Sequence, residues 1–239
     1  MSLSAVVTST DEDAVDILRS YTETYLREEV QAGSLVRNLG GFARFLEVAA
    51  SQSGEILNFS AVGRDAGLAT RTVQEYFQIL EDTLLGYRLE AWRNSPRARM
   101  VAHPRFFLFD TGVTNAINRR LTARLDARTR GHLFEQWIVL ECYRYLDYVE
   151  PEARLFYWRT NTGAEVDLLV EKHGELRLAA EIKSKKQVVG ADCTGLRSLA
   201  EAHPAVPCHV IAPVPEPYRL GRIKVEPYKL FFRRLRRRL

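Results

Sequence analysis

The sequence predicts a mixed α/β (α+β) chain, with a helical first part followed by a mixed sheet flanked by helices. Three observations carry that expectation. Apolar residues recur at near-helical spacing from residue 14 to about 82, strand-like alternation dominates beyond about 155, and helical stretches at 131–147 and 191–202 bracket those strands.

Val15, Ile17 and Leu18, then Tyr25 and Leu26, Leu35 and Val36, and Phe42, Phe45 and Leu46 trace helices over residues 14–50, with Gly40-Gly41 expected to break the run. Asn58 is placed to cap a short helix to about Ala66 that Gly67 ends. Thr70 is placed to cap a longer helix to about Asp82, with Val73, Tyr76, Phe77 and Leu80 as its buried stripe. Two helices joined by a tight glycine-containing turn read as a helix-turn-helix. Strand-like runs at Gly86–Trp92 and Arg105–Phe109 then complete the pattern of a winged helix. After an arginine-rich helical connector come strands at 155–159, 165–171, 176–183 and 207–212, and a last one near 222–231. The expected division is a helical segment (1–40), a winged-helix domain (41–110), a connector (111–130) and the sheet domain (131–239).

At 239 residues, 46% hydrophobic, the chain suits one large or two small domains with real cores. No stretch approaches the roughly 18 apolar residues of a membrane span, and Met1-Ser2-Leu3 opens without the charge or apolar run of a signal peptide. Cys142, Cys193 and Cys208 are odd in number and far apart, which suits a reducing cytoplasm and neither a disulfide framework nor a zinc knuckle. Net charge is +4, but Lys229 to Leu239 hold one Lys and five Arg without an acid, leaving −2 for the rest. Such a tail is either a nucleic-acid contact through phosphates or a solvated terminus.

The densest chemistry lies in two adjacent strands. Period-two alternation sets Val166, Leu168 and Val170 against Glu165, Asp167, Leu169 and Glu171; on the next strand Leu176, Leu178, Ala180 and Ile182 oppose Arg177, Ala179, Glu181 and Lys183. Matching the apolar rows requires an odd-numbered turn, most simply His173-Gly174-Glu175, and brings Asp167 opposite Glu181 and Glu165 opposite Lys183. Carboxylates facing each other across a sheet lie about 5 Å apart and repel. A bound Mg²⁺ or Mn²⁺ removes that repulsion, polarises a phosphoryl oxygen and activates water. The plain alternative is a solvated hairpin face with a Glu165–Lys183 pair. Glu135 shares a helix face with Ile138, Val139, Cys142 and Leu146, where a carboxylate is costly unless paired, metal-linked or at the stripe's edge.

Other motifs point less far. The exposed side of the 70–82 helix offers Arg71 and Gln74 but also three acids, a poor base reader; Arg93, Arg97 and Arg99 make the following segment the better phosphate contact. A structural or protein-docking winged helix fits as well, and a repressor more weakly. Asp110-Thr111-Gly112 occurs once, whereas an aspartic protease needs two such aspartates, so it reads as a turn or helix start. The histidines show no metal-ligand spacing. There is no phosphate-binding loop, so no ATPase activity is expected of this chain alone.

With Glu135, Asp167, Glu181 and Lys183 assembled, the second domain resembles the PD-(D/E)xK nuclease-like fold. The wider chain resembles the region that follows the P-loop domain in many prokaryotic AAA-type ATPases. The likeness rests on Tyr21-Thr22-Glu23-Thr24-Tyr25-Leu26, Pro104 to Gly112, Gly131-His132-Leu133-Phe134-Glu135, Phe156-Tyr157-Trp158-Arg159, Glu165-Val166-Asp167 and Glu181-Ile182-Lys183-Ser184. It implies Mg²⁺ or Mn²⁺ held by Asp167, Glu181 and Glu135, catalysis by Lys183, DNA as substrate, and an ATPase half that this sequence lacks. The fold also hosts proteins that only bind, so a silent module holding DNA or a protein partner is the alternative expectation.

Overall fold

A computed structural model describes residues 11–25, 36, 38–93 and 103–235. The expectations placed on Leu26, Leu35, Arg97, Arg99, Arg236, Arg237 and Arg238 lie outside the described residues. The helices are α1 (Asp11–Ser20, running into a π-helical turn at Tyr21–Tyr25), α2 (Leu39–Ser51), α3 (Phe59–Ala66), α4 (Thr70–Asp82), α5 (Thr111–Ile117), α6 (Ala127–Val149), α7 (Thr194–Ala202) and α8 (Tyr228–Leu235). The strands are β1 (Gly86–Ala91), β2 (Arg105–Leu108), β3 (Ala153–Arg159), β4 (Glu165–Lys172), β5 (Glu175–Ile182), β6 (Cys208–Ala212), β7 (Tyr218–Leu220) and β8 (Ile223–Pro227). They form one mixed sheet in the order β2-β1-β3-β4-β5-β6-β8-β7, the α+β class that the sequence predicts.

The described residues divide into two compact units, Met1–Arg88 with Phe106–Asp126, and Leu89–Arg105 with Ala127–Leu239. The boundary therefore falls inside β1 and β2. The two strands expected of a wing are present, and they belong to the eight-stranded sheet; β1 pairs in parallel with β3 through Glu90↔Phe156 and Ala91↔Tyr157.

In the first unit the expected stripe Val73, Tyr76, Phe77 and Leu80 is buried, together with Phe42, Phe45, Leu46 and Phe106. Phe77 meets Phe45 and Phe106 edge-on, each at 4.8 Å between centroids, a geometry worth about 1 kcal/mol beyond burial. Asn58 caps α3, its Oδ1 accepting from Ala61 N at 3.0 Å, and Gly67 ends it in the left-handed region at φ 65°. Two expectations shift. Gly40-Gly41 does not break a helix but forms the first turn of α2, capped by Asn38 Oδ1 on Gly41 N at 2.9 Å. The residue ahead of α4 is Ala69, with no side-chain cap, and Thr70 is already helical. Asp110 is a helix start, its Oδ1 accepting from Val113 N at 2.9 Å.

In the second unit α7 lies on one face of the sheet, with Val166, Leu169, Ala179, Leu196, Leu199 and Val210 in a single apolar cluster. α6 packs on β3 and β5, presenting the buried Ile138, Val139, Cys142 and Leu146 that share a face with Glu135. α8 stacks on α6 through Trp137 and Tyr228 at 5.3 Å. The expected last strand thus stops at Pro227 and gives way to a helix, because Phe231 and Leu235, four apart, are the buried pair. His209 lies 2.7 Å from the fully buried Glu226, which Lys224 also approaches at 3.2 Å, so this histidine is a paired core residue.

All three cysteines are free and buried, and burial pushes each thiol above its ordinary range. Thiolates are the reactive form. Cys142, Cys193 and Cys208 are therefore expected to resist iodoacetamide in the native chain and to react once it is unfolded, as read by intact mass. Rapid labelling of Cys142 in the folded protein would contradict this packing.

Candidate active site

The site forms where β4 and β5 part. Leu168↔Ala180 is the last paired position of their ladder toward that end. Beyond it β4 stays with β3, through Trp158↔Val166 and Arg159↔Glu165. β5 stays with β6, and the Lys183 amide donates to the Ile211 carbonyl at 3.0 Å. Between Phe156↔Leu169 and Trp158↔Val166 the register shifts, so Tyr157 stands opposite both Asp167 and Leu168. Such a bulge re-aims a side chain. Asp167 Oδ2 accepts from the Ile182 amide at 2.7 Å, filling the fork with a carboxylate where a strand carbonyl would otherwise sit.

The expected register is present, but by another route. The turn has two residues, His173 and Gly174, with φ of 55° and 78°, the left-handed pair that a tight hairpin requires. A second bulge at Arg177, between Val170↔Leu178 and Glu171↔Leu176, then supplies the one-residue shift. Continued past Leu168↔Ala180, that register sets Asp167 level with Glu181. The alternation itself is corrected at Val166, which the β4 bulge turns to the α7 side with Leu169.

Glu181 is 3% exposed, so its face is no solvated surface. Its Oε1 accepts from Leu196 N at 3.0 Å, and its Oε2 lies 3.0 Å from Lys183 Nζ. The expected Glu165–Lys183 pair is replaced: Glu165 reaches Arg159 at 3.3 Å and Arg105 at 3.8 Å, because β5 has already turned toward β6 at Lys183. Gly195 makes the Leu196 contact possible. A Cβ there would stand 1.7 Å from the Glu165 carbonyl oxygen, so no other residue lets α7 come so near β4. A glycine inside the helix expected over 191–202 was the available signal for it.

Glu135 is held by Arg105, whose guanidinium is 8% exposed and ion-paired to it. The Tyr157 hydroxyl donates to the His103 carbonyl at 2.6 Å and so fixes the chain two residues before Arg105. Burial pushes the Glu135 carboxyl up to about 7, against the opposing pull of Arg105 and with help from Asp167 and Glu165. Burial also raises Glu181, opposed by Lys183. For Lys183, burial works downward, but Asp167 and Glu181 outweigh it and its ammonium is held above the ordinary range. Glu135, Asp167, Glu181 and Lys183 thus share one electrostatic neighbourhood. Among the described residues no three Asp, Glu, His or Cys side chains are gathered as a metal-holding group.

An open cleft of about 310 Å³ adjoins them, lined by His132 and Glu135 of α6, by Lys183, Ser184 and Lys185 after β5, and by Asp192. Lys185 is paired with Asp192. Asp167 and Glu181 are not among its lining residues.

Of the expected nucleic-acid contacts, Arg71, Gln74 and Arg93 are exposed, with Arg71 paired to Glu75 at 3.2 Å. Two arginines flanking the same segment are committed elsewhere, Arg88 to Glu81 at 3.0 Å and Arg105 to Glu135. Trp92 is buried and donates to Glu171 at 2.7 Å.

Residues 4–125, half of the chain, match the family described as Domain of unknown function (DUF8612). The chain belongs to this family. Residues 130–231 of the DUF8612 member match a second, described as Domain of unknown function (DUF4143). An uncharacterised protein of Mycobacterium bovis and one of Mycobacterium tuberculosis are each 26% identical over 171 residues, covering 69% of this chain and 37% of the relative. The chain thus spans little more than a third of the length of those curated relatives. No solved structure matches it.

Replacing Gly195 by Ala forces α7 off β4 and pulls Leu196 N from Glu181. The expected cost is about 3 kcal/mol, as for an overpacked core, read by urea unfolding. Unchanged stability would mean that α7 does not approach β4 this closely.

Proposed function

We propose that the second unit is a DNA-associated, metal-dependent phosphodiesterase domain of nuclease-like type. The observation that carries the reading is the shared electrostatic neighbourhood of Glu135, Asp167, Glu181 and Lys183 at the β4–β5 fork, beside an open cleft that Glu135 and Lys183 line. The donor chemistry suits a hard divalent cation, since Glu135 and Glu181 are oxygen donors that burial makes costly as anions and Mg²⁺ or Mn²⁺ relieves that cost, although among the described residues they are not already gathered with a third ligand. Asp167 and Glu181 would hold the ion, with Glu135 supporting it or its water. When bound, such an ion polarises a phosphoryl oxygen and lowers the pKa of water.

The chain's own residues supply the rest. Lys183 keeps its ammonium charged and reaches both the cleft and Glu181, so it can donate to a non-bridging phosphate oxygen as negative charge develops there. Lys185, paired with Asp192, and His132 complete the cleft wall beside it. Arg71, Gln74 and Arg93 of the winged-helix part, with Arg97 and Arg99, are the proposed further backbone contacts to DNA. The match of residues 130–231 supports reading this unit as the region that follows an ATPase domain, and that ATPase half is the proposed partner. Three free thiols suit a reducing cytoplasm as its compartment. Among the described residues no helix is long and apolar enough to cross a membrane.

One observation favours a second reading, a silent module that holds DNA or a protein without turnover. Both Glu181 oxygens and one Asp167 oxygen are already engaged within the chain.

Plasmid and single-stranded DNA incubated with the purified chain in Mg²⁺ or Mn²⁺ decide between them. Cleavage is expected, falling at least about a hundredfold in Asp167→Ala and in Lys183→Ala. Absence of cleavage, with salt-sensitive DNA binding that survives Asp167→Ala, would favour the silent module.

A further inference from the structure

Arg105 occupies a position that the nuclease-like reading does not use. Its guanidinium is almost wholly buried, paired to Glu135, and 3.8 Å from Glu165. It also feels the Asp167 charge as well as those of its two direct partners. Its side chain lies over the Tyr157 ring, 6.0 Å from the centroid, and Tyr157 is the residue opposite the Asp167–Leu168 bulge. A fixed cation therefore sits on Glu135, the acid proposed to support the ion or its water, and within the field of Asp167.

We propose that Arg105 is a built-in counter-cation that competes with the divalent ion for this carboxylate cluster and so sets the ion's affinity. The inference rests on the metal-dependent reading of the same site. Both charges satisfy the same electrostatic need, to lower the repulsion among Glu135, Glu165 and Asp167. They cannot approach closely without repelling each other, and in a partly buried site that repulsion is screened far less than in water. Occupation by the ion then requires the guanidinium to give way at Glu135. Glu165, held on its other side by Arg159 at 3.3 Å, is placed to keep it within the unit as it does. Arg105 is in this sense a positioning residue, acting on the ion through the acids.

Mn²⁺ titration by calorimetry and electron paramagnetic resonance tests this on the whole chain, comparing wild type with Arg105→Met and Arg105→Lys. Arg105→Met is expected to bind Mn²⁺ at least about tenfold more tightly, as loss of a nearby like charge requires, and Arg105→Lys to stay near wild type. Equal or weaker binding by a folded Arg105→Met, where wild type binds, overturns the proposal and leaves the metal-dependent reading standing. Binding by Arg105→Met alone supports the proposal and sinks that reading for the natural chain. Binding by neither defeats both. If Arg105→Met does not fold, Mg²⁺ titration of wild type by NMR decides: the Arg105 side-chain N–H resonances, assigned by their loss in Arg105→Lys, are expected to shift as the pair with Glu135 opens. No shift at saturating Mg²⁺ overturns the proposal.

Discussion

The hydrogen bond from Ile182 N to Asp167 Oδ2 is the interaction on which the second unit depends. Where two strands separate, each leaves amides and carbonyls that the ladder no longer pairs, and a buried unpaired amide costs about as much as a lost hydrogen bond. β4 and β5 separate here because β3 and β6 claim them. Asp167 answers the orphaned amide with a carboxylate, and the bulge opposite Tyr157 aims it there. The fork can stay open because its backbone is satisfied by a side chain, and an open fork is what gives the neighbouring acids and Lys183 a place to meet.

From that bond follow the constraints on the rest. Glu181, beyond the last paired position of the same ladder, carries a charge that burial makes costly and that the Asp167 charge makes more so. The chain compensates on both sides of the sheet. On one side the first turn of α7 lends the Leu196 amide, which Gly195 brings near. On the other, Arg105 is drawn in toward Glu135 and Glu165. Breaking a buried ion pair from one end generally costs about 3–5 kcal/mol, so these partners also hold the fold together.

How much of this was legible follows from the range of the forces involved. The short-range pattern of the β4–β5 pair was enough to place Asp167 level with Glu181, since an apolar row will not lie against a charged one. The route differs from the one that parity predicts. A His-Gly pair accepts two left-handed residues and so makes the turn shorter than parity asked, and the bulge at Arg177 restores the count. Neither bulge has a sequence signature, because each depends on what the neighbouring strand demands. The burial of Glu181 was hidden for the same reason: alternation says which face a residue takes, not whether a helix will cover it. The role of Arg105 was not legible, since nothing local ties it to Glu135, 30 residues away. The strand expected to run through residue 231 shows the converse, in that Phe231 and Leu235 carried helical spacing that a strand-rich context masked.

The acid cluster can therefore be understood as a site whose charge is already balanced, and that bears on what any ligand must do there. A guanidinium is planar, singly charged and directional, and it satisfies carboxylates by aligned hydrogen bonds. A hard divalent ion draws the same oxygens inward from several directions and brings twice the charge. The two demand different orientations of the same side chains. Glu181, with one oxygen on a backbone amide and the other on Lys183, is the least free to reorient. Glu135, whose partner Arg105 is a side chain rather than a backbone amide, is the freest. The direction of any rearrangement is then set by backbone attachment: the cluster can open at Glu135 and Arg105 while Asp167 and Glu181 stay anchored to Ile182 and Leu196.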